Sequence, residues 1–239
     1  MTICYIIAME AEARPIVDYY KMQERKDFFA PLPCRLWEMT VQGEAGENKV
    51  YVVTPGRQYD RDLIGCEPAA MTTTLAIERL HPDMVINSGT CGAWARHGMK
   101  VGQVCLASGA MFHDRRVPGD NAWATQGLGN YPTWDGTEKM AQALSLTMGK
   151  VTTGSSFDMS EEEERLIEAN GGRLKEMEGA AVAFVCSLFH IPVILVKAVT
   201  NLRDAPDEDM AAFHQNLENA AAELLNTNIK IQKYLASLA

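Results

Sequence analysis

The side chains best placed to do chemistry in this sequence are two pairs of carboxylates. In KEMEGAAVAFVC, residues 175 to 186, Glu176 and Glu178 flank Met177 immediately before a helix-forming run of small residues. Gly179, Ala180, Ala181 and Ala183 let that helix approach a sheet closely, which turns Glu178 toward the interior of a site. A carboxylate buried there needs a partner, and ligand hydroxyls serve as well as protein donors. In AMEAEA, Glu10 and Glu12 lie at the end of a first strand and the start of a helix. A carboxylate in that place is a general base, or no more than a favourable charge on a helix N-terminus. ILVKAVTNLRD sets Thr200 and Asn201 behind an apolar strand, on the same rim as Glu178.

Three other stretches carry weaker signals. NSGTCGAW, residues 87 to 94, puts small residues directly after the apolar MVI, so Gly89 and Gly92 admit a ligand close to the backbone, with Thr90 between them. A plain structural turn is the alternative, and neither Gly-x-Gly-x-x-Gly nor Gly-Lys-Ser/Thr is present. FHDRR, residues 112 to 116, is an anion site or a salt-bridged surface loop. In TTGSSFDMS, residues 152 to 160, Phe157 stacks on a planar ligand while the backbone near Asp158 bonds its edge, or Phe157 is core. Ser160 followed by Glu163 fits a capping box that starts a helix.

The elements that must position these groups read as alternating strands and helices. Apolar, β-branched runs at 3–9, 50–54, 84–88, 104–107, 151–153 and 193–199 are expected strands. Helical periodicity marks 12–20, 68–80, 137–148, 161–170 and 179–190, with a long amphipathic tail from about 207 to 238. Runs such as MVIN and VILVKAV are near-continuously apolar, as expected of a sheet buried on both faces. The implied architecture is α/β: a mixed β-sheet surrounded by helices, one domain over 1–239. Functional groups in such sheets collect beyond the carboxyl ends of the strands. Segments 30–48 and 115–134 interrupt the alternation, and the second is too long for an ordinary connection, so it reads as a functional loop or an interface.

Composition narrows the classes of partner. The chain has 239 residues, 47% hydrophobic and 22% charged, with a net charge of −9. It lacks the basic surface that draws proteins to nucleic acid or anionic lipid. No apolar run reaches the roughly 18 residues of a membrane span, and the N-terminal run is interrupted by Glu10 and Glu12. Six singly placed cysteines read as reduced thiols of a cytoplasmic protein, and no Cys or His spacing calls for a metal or redox cofactor.

In order along the chain, AMEAEA, NSGTCGAW, FHDRR, TTGSSFDMS, KEMEGAAVAFVC and VKAVTNLRD resemble the methylthioadenosine/S-adenosylhomocysteine nucleosidases of the nucleoside phosphorylase family, the plant-type enzymes most of all. The resemblance implies a nucleoside phosphorylase-like fold, a homodimer, and hydrolysis of the N-ribosidic bond of a purine nucleoside without a cofactor. Such hydrolysis passes through a ribosyl cation, so water must reach C1′, the cation must be stabilised and the purine must leave. By resemblance Glu12 is the base that deprotonates water. Glu178 holds ribose hydroxyls, Met177 lines the sugar face, and Glu176 lies near sugar and water. Phe157 and the backbone at Asp158 bind the purine, Thr90 and Gly92 border the substrate, and Met9 borders its 5′ group together with the stretch near Met210 and Phe213 and a neighbour's 115–134 loop.

The sequence departs from the family where the general acid belongs. That position is Asn201, in VTNLRD where the pattern reads VTDLRD, and an amide donates a hydrogen bond but delivers no proton. Losing a general acid typically costs about 10² to 10⁴ in rate. Three readings follow: a weakened adenine nucleosidase, a nucleosidase or phosphorylase for 6-oxopurine nucleosides such as inosine or a futalosine-like compound, or a nucleoside-binding protein without turnover. Ser155, where related plant sequences carry Asp, removes another charge expected near the base. Glu12 with Glu10 nearby repels phosphate and favours hydrolysis over phosphorolysis, unless Arg57 points into the pocket.

Overall fold

The computed structural model describes residues 1–43, 46–117, 121–205 and 209–238. The first half of the chain runs β1 (Thr2–Ile6), α1 (Glu10–Tyr19), β2 (Gln23–Glu24), β3 (Arg35–Gly43), β4 (Gly46–Thr54), β5 (Arg57–Gln58), β6 (Arg61–Asp62), α2 (Cys66–Leu80), β7 (Met84–Ala93) and β8 (Val104–Phe112). It continues through α3 (Asn121–Leu128), α4 (Thr137–Leu144), β9 (Thr147–Thr153), α5 (Glu161–Ala169), β10 (Gly172–Glu176), α6 (Gly179–Phe189), β11 (Val193–Leu202) and α7 (Asp209–Ala236).

Among the described residues nine strands form one mixed sheet in the order β10-β9-β8-β11-β7-β1-β4-β3-β2. The parallel centre is β4, β1, β7 and β11, while β8 runs antiparallel to β11. Side chains along β11 alternate between two cores: Val193, Leu195 and Val199 enter one, Ile194, Val196 and Ala198 the other. Helices α2 and α6 cover the first core with Ala76, Ile77, Ala180 and Val182, and α1, α4 and α7 cover the second with Ile16, Met140, Leu224 and Ile231. Two-sided burial is why these strands carry apolar residues at consecutive positions rather than only at alternate ones.

Two features of the sheet create the site. Strand β10 pairs antiparallel with the far end of β7, matching Lys175 with Gly92, while β11 flanks the other side of β7. At the same place the β7–β11 register slips between Val199 and Asn201, which pair with Cys91 and Gly92. Such a bulge turns the side chains beyond it to a new direction.

Several boundaries differ from the sequence expectation. The residues read as a Gly-rich turn, 87–94, lie almost wholly inside β7, which extends through Ala93 rather than stopping at 88. Its glycines have a steric reason: a Cβ on Gly92 would stand 3.1 Å from Arg203 Cδ and 3.2 Å from Asn201 Nδ2. Segment 30–48 contains β3, hairpinned onto β4, and segment 115–134 contains α3. Residues 118–120 of that segment, residues 44–45, and the expected helix start at 207 lie outside the described residues. Ser160 caps α5 as the sequence indicates, accepting from the Glu163 N–H at 3.2 Å while its own N–H donates to the Glu163 carboxylate at 2.8 Å.

Candidate active site

A cavity of about 490 Å³ opens beyond the carboxyl ends of β1, β7, β10 and β11. Met9, Glu12, Thr90, Gly92, Phe157, Glu176, Met177, Glu178 and Asn201 all line it. Asp158 does not; its side chain is exposed. The loop is held from the other direction, since Lys175 Nζ donates to the carbonyls of Ser156 at 2.8 Å and Phe157 at 2.9 Å. The Phe157 ring meets Phe213 edge-on at 5.7 Å, between the loop and α7.

Glu12 sits in the first turn of α1 and is buried. Its Oε1 accepts from the Thr90 N–H at 2.7 Å and the Thr90 hydroxyl at 2.8 Å, and its Oε2 from the Met9 N–H at 3.3 Å. Burial pushes its pKa above the ordinary carboxylate value, against the opposing pull of these hydrogen bonds and of Lys197. Gly89 leaves room for this: a Cβ there would lie 3.4 Å from Glu12 Oε1. A carboxylate with a raised pKa, fixed by three donors at a cavity wall, is equipped to take a proton from water.

Glu176 is more deeply tied. Its Oε2 meets Lys197 Nζ at 2.6 Å and accepts from the N–H groups of Glu178 at 3.0 Å and Gly179 at 2.7 Å, while the Thr153 hydroxyl donates to Oε1. Burial alone would raise its pKa, but Lys197 and these donors hold it below the usual range. Glu176 therefore anchors the first turn of α6 as well as facing the cavity, the favourable place for an anion at a helix N-terminus. Glu178, at the N-cap of α6, accepts from the Gly65 N–H at 2.8 Å. Burial and the neighbouring Glu176 raise its pKa to about 7.

Lys197, 1% exposed in mid-β11, is the buried charge partner of Glu176 that the sequence reading overlooked. Burial would lower its pKa, yet the Glu176 and Glu178 carboxylates keep it above the ordinary lysine value. The signal was available in VILVKAV, because a lone cation in a strand buried on both faces requires an acidic partner.

Asn201 is buried, and its Oδ1 accepts from the Thr200 hydroxyl at 2.9 Å. Asp204 does not take over as an acid, because its carboxylate accepts from the N–H groups of Ala95 at 2.7 Å and Arg96 at 2.9 Å, outside the cavity wall. Ser155 is also off the wall: exposed, with its N–H on Asp114 at 2.7 Å, it carries no charge change into the pocket. Glu10 is held outside by Arg14 at 2.5 Å and Arg35 at 2.8 Å, so Glu12 carries its charge into the cavity without it. Arg57 is exposed and bound to the Asp60 carbonyl at 2.6 Å. FHDRR is structural: His113 is buried against Thr152 at 2.9 Å, and Arg115 packs over Phe112.

Residues 2–230 match the phosphorylase superfamily. The chain is 38% identical over 236 residues to a 5′-methylthioadenosine nucleosidase of Arabidopsis thaliana, covering 98% of this chain and 87% of that protein. It is 32% identical to a 5′-methylthioadenosine/S-adenosylhomocysteine nucleosidase of the same plant, covering 98% and 92%. The apo structure of the Arabidopsis thaliana 5′-methylthioadenosine nucleosidase superposes with a TM-score of 0.92, covering 98% of this chain and 95% of that one. With the family match spanning nearly every residue and a relative 38% identical over 98% of the chain, the chain belongs to the phosphorylase superfamily.

Proposed function

We propose that the protein hydrolyses the N-ribosidic bond of a purine nucleoside, 5′-methylthioadenosine foremost and S-adenosylhomocysteine as a further substrate, releasing adenine and the 5-substituted ribose. The observation that carries this reading is the meeting of Glu12, Glu176 and Glu178 on one cavity wall beside Asn201. Glu12 takes a proton from the attacking water as the oxygen bonds to C1′ and the bond to the purine breaks. Glu178 holds ribose hydroxyls, with Met177 against the sugar, and the negative charge of the wall favours the cationic sugar of the transition state. Phe157 packs on the base, while Thr90, Gly92 and Met9 border the substrate. Asn201 donates a hydrogen bond to the departing base, which then takes its proton from solvent, so turnover is slow beside an enzyme with a carboxylic acid there.

Hydrolysis is favoured over phosphorolysis because Glu12 repels phosphate from the place where the nucleophile stands, the Glu176 charge being neutralised by Lys197. No cofactor is required by this chemistry. The same reading includes a cytoplasmic homodimer that does not bind nucleic acid, all on one domain spanning 1–239. Six free cysteines and the acidic composition are in keeping with it, as is the 57% exposed Trp123 on α3 for a subunit interface.

Asn201 also favours a second reading, in which the amide selects a 6-oxopurine base. One assay separates them: free base released from methylthioadenosine, S-adenosylhomocysteine, inosine and a futalosine-type nucleoside, with and without phosphate, by this protein and by Asn201→Asp. Adenine released slowly by the native chain and at least 10²-fold faster by Asn201→Asp is the expected result. Hypoxanthine released by the native chain and lost in the variant would establish the second reading instead.

A further inference from the structure

The wall of the cavity carries one cation that the proposed mechanism leaves unused. Lys175 is spent on the Ser156 and Phe157 carbonyls, and Lys197 on Glu176. Arg203 has partners within the molecule. Among the described residues Arg61 is the lining cation whose side chain has neither a hydrogen bond nor an ion pair. Its neighbour Asp62 also lines the cavity, half-buried, with Oδ1 accepting from the Glu10 N–H at 3.3 Å.

Both are presented by a small two-stranded hairpin, Arg61 on its exposed side. Strands β5 and β6 pair Arg57 with Asp62 and Gln58 with Arg61, across a two-residue turn in which Tyr59 (φ 50°) and Asp60 (φ 58°) are both left-handed. That is the turn whose twist matches a tight hairpin. Arg57 braces it on the Asp60 carbonyl, and Asp62 ties it to the first turn of α1, two residues from Glu12. The chain then passes through Ile64, on the cavity wall, to Gly65, whose N–H holds Glu178. Arg61 thus stands four residues before Gly65, the residue that bonds the ribose anchor Glu178, at most about 14 Å away along an extended chain and on the same cavity wall.

Resting on the proposed nucleosidase reading, we infer that Arg61 and Asp62 read a zwitterionic α-amino-acid tail on the 5′ sulfur of the nucleoside. The planar guanidinium suits a carboxylate in two-pronged contact, and Asp62 accepts from an ammonium group beside it. Ile64, Met210 and Phe213 on the same wall take the intervening thioether and methylenes. The hairpin thereby separates acid-tailed nucleosides from those ending in a neutral alkylthio group.

The test is calorimetric binding of S-adenosylhomocysteine and of methylthioadenosine to the native chain, Arg61→Gln and Arg61→Lys, with base release followed in parallel, with and without inorganic phosphate. The expected result is that Arg61→Gln weakens S-adenosylhomocysteine by roughly three- to ten-fold relative to methylthioadenosine, with partial recovery in Arg61→Lys. An unchanged ratio of the two affinities overturns the inference while leaving the nucleosidase reading intact. Phosphate-dependent base release that disappears in Arg61→Gln also overturns it, since the anion read would then be phosphate. Selective tail binding without base release from either nucleoside upholds Arg61 and rejects hydrolysis.

Discussion

A carboxylate is a useful base only if it is ionised at the working pH, and the surroundings of Glu12 decide that. Burial lifts its pKa, and Thr90, Met9 and Lys197 limit the rise. Because the base must be unprotonated, turnover should fall as pH drops through the raised Glu12 pKa, giving an acid limb above the ordinary carboxylate range. Glu12→Gln should lose about 10² to 10⁴ in kcat, with that limb abolished from what remains. A variant that keeps both full rate and limb would remove Glu12 from the mechanism. Asn201 lies at the opposite pole: its identity was plain in the sequence, and its geometry adds that the amide oxygen is engaged by Thr200. Lys197 was the reverse case, a residue whose partner Glu176 stands 21 positions earlier in the chain. Only the fold joins them.

At the scale of elements, the approach of α6 to the sheet governs the site. Glu176 receives the Glu178 and Gly179 amides, and the Ala180 N–H donates to the Thr153 hydroxyl at 2.8 Å, so the helix start and β9 share one network. A Cβ on Gly179 would stand 3.0 Å from Val151 Cγ1 and 3.2 Å from both Glu176 carboxylate oxygens. Gly179→Ala should therefore displace the helix start that carries Glu178. The expected cost is about 1–3 kcal/mol in denaturant unfolding, with the loss of activity exceeding the loss of stability. The small-residue run at the start of this helix was legible as a close-packing signal, and so was the Ser160 cap. Strand β10 was not, because Gly172–Glu176, of which only Lys175 and Glu176 were read, as the lead-in to a helix, acquires strand geometry by pairing with β9 and with the end of β7. The glycines of β7 misled for the same kind of reason: they are small to admit Glu12 and Asn201, not to turn the chain.

For the molecule as a whole, acid is the condition most revealing of its buried polar groups. His113 is buried beside Thr152, and burial with help from Lys175 lowers its pKa from 6.5 to about 4. An unfolded chain binds that proton at higher pH than the folded one, so the contribution is full above pH 6.5 and is lost as pH falls toward 4. Two and a half pKa units correspond to about 3 kcal/mol. The Glu176 carboxylate, also held low, adds a loss of the same sign at still lower pH. Glu178, raised to about 7, contributes with the opposite sign over the same range, so the His113 contribution is read by difference: the stability advantage of the native chain over His113→Gln should shrink as pH falls from 7.5 to 4.5. An equal slope in both proteins would place the acid sensitivity elsewhere.

Local pattern was enough for the alternation of strand and helix, for burial on both faces of the central strands, and for the ordered motifs that carry Glu12, Phe157, Glu176 to Glu178 and Asn201. These depend on side chains near one another in sequence, where periodicity and capping chemistry act directly. Tertiary structure alone decided that β7 ends between β10 and β11, that Lys197 neutralises Glu176, that Asp204, Glu10 and Ser155 stand outside the cavity, and that Arg61 stands on its wall. Each of those depends on pairing between distant segments and on what burial does to a charge, and neither is set by a residue's neighbours along the chain.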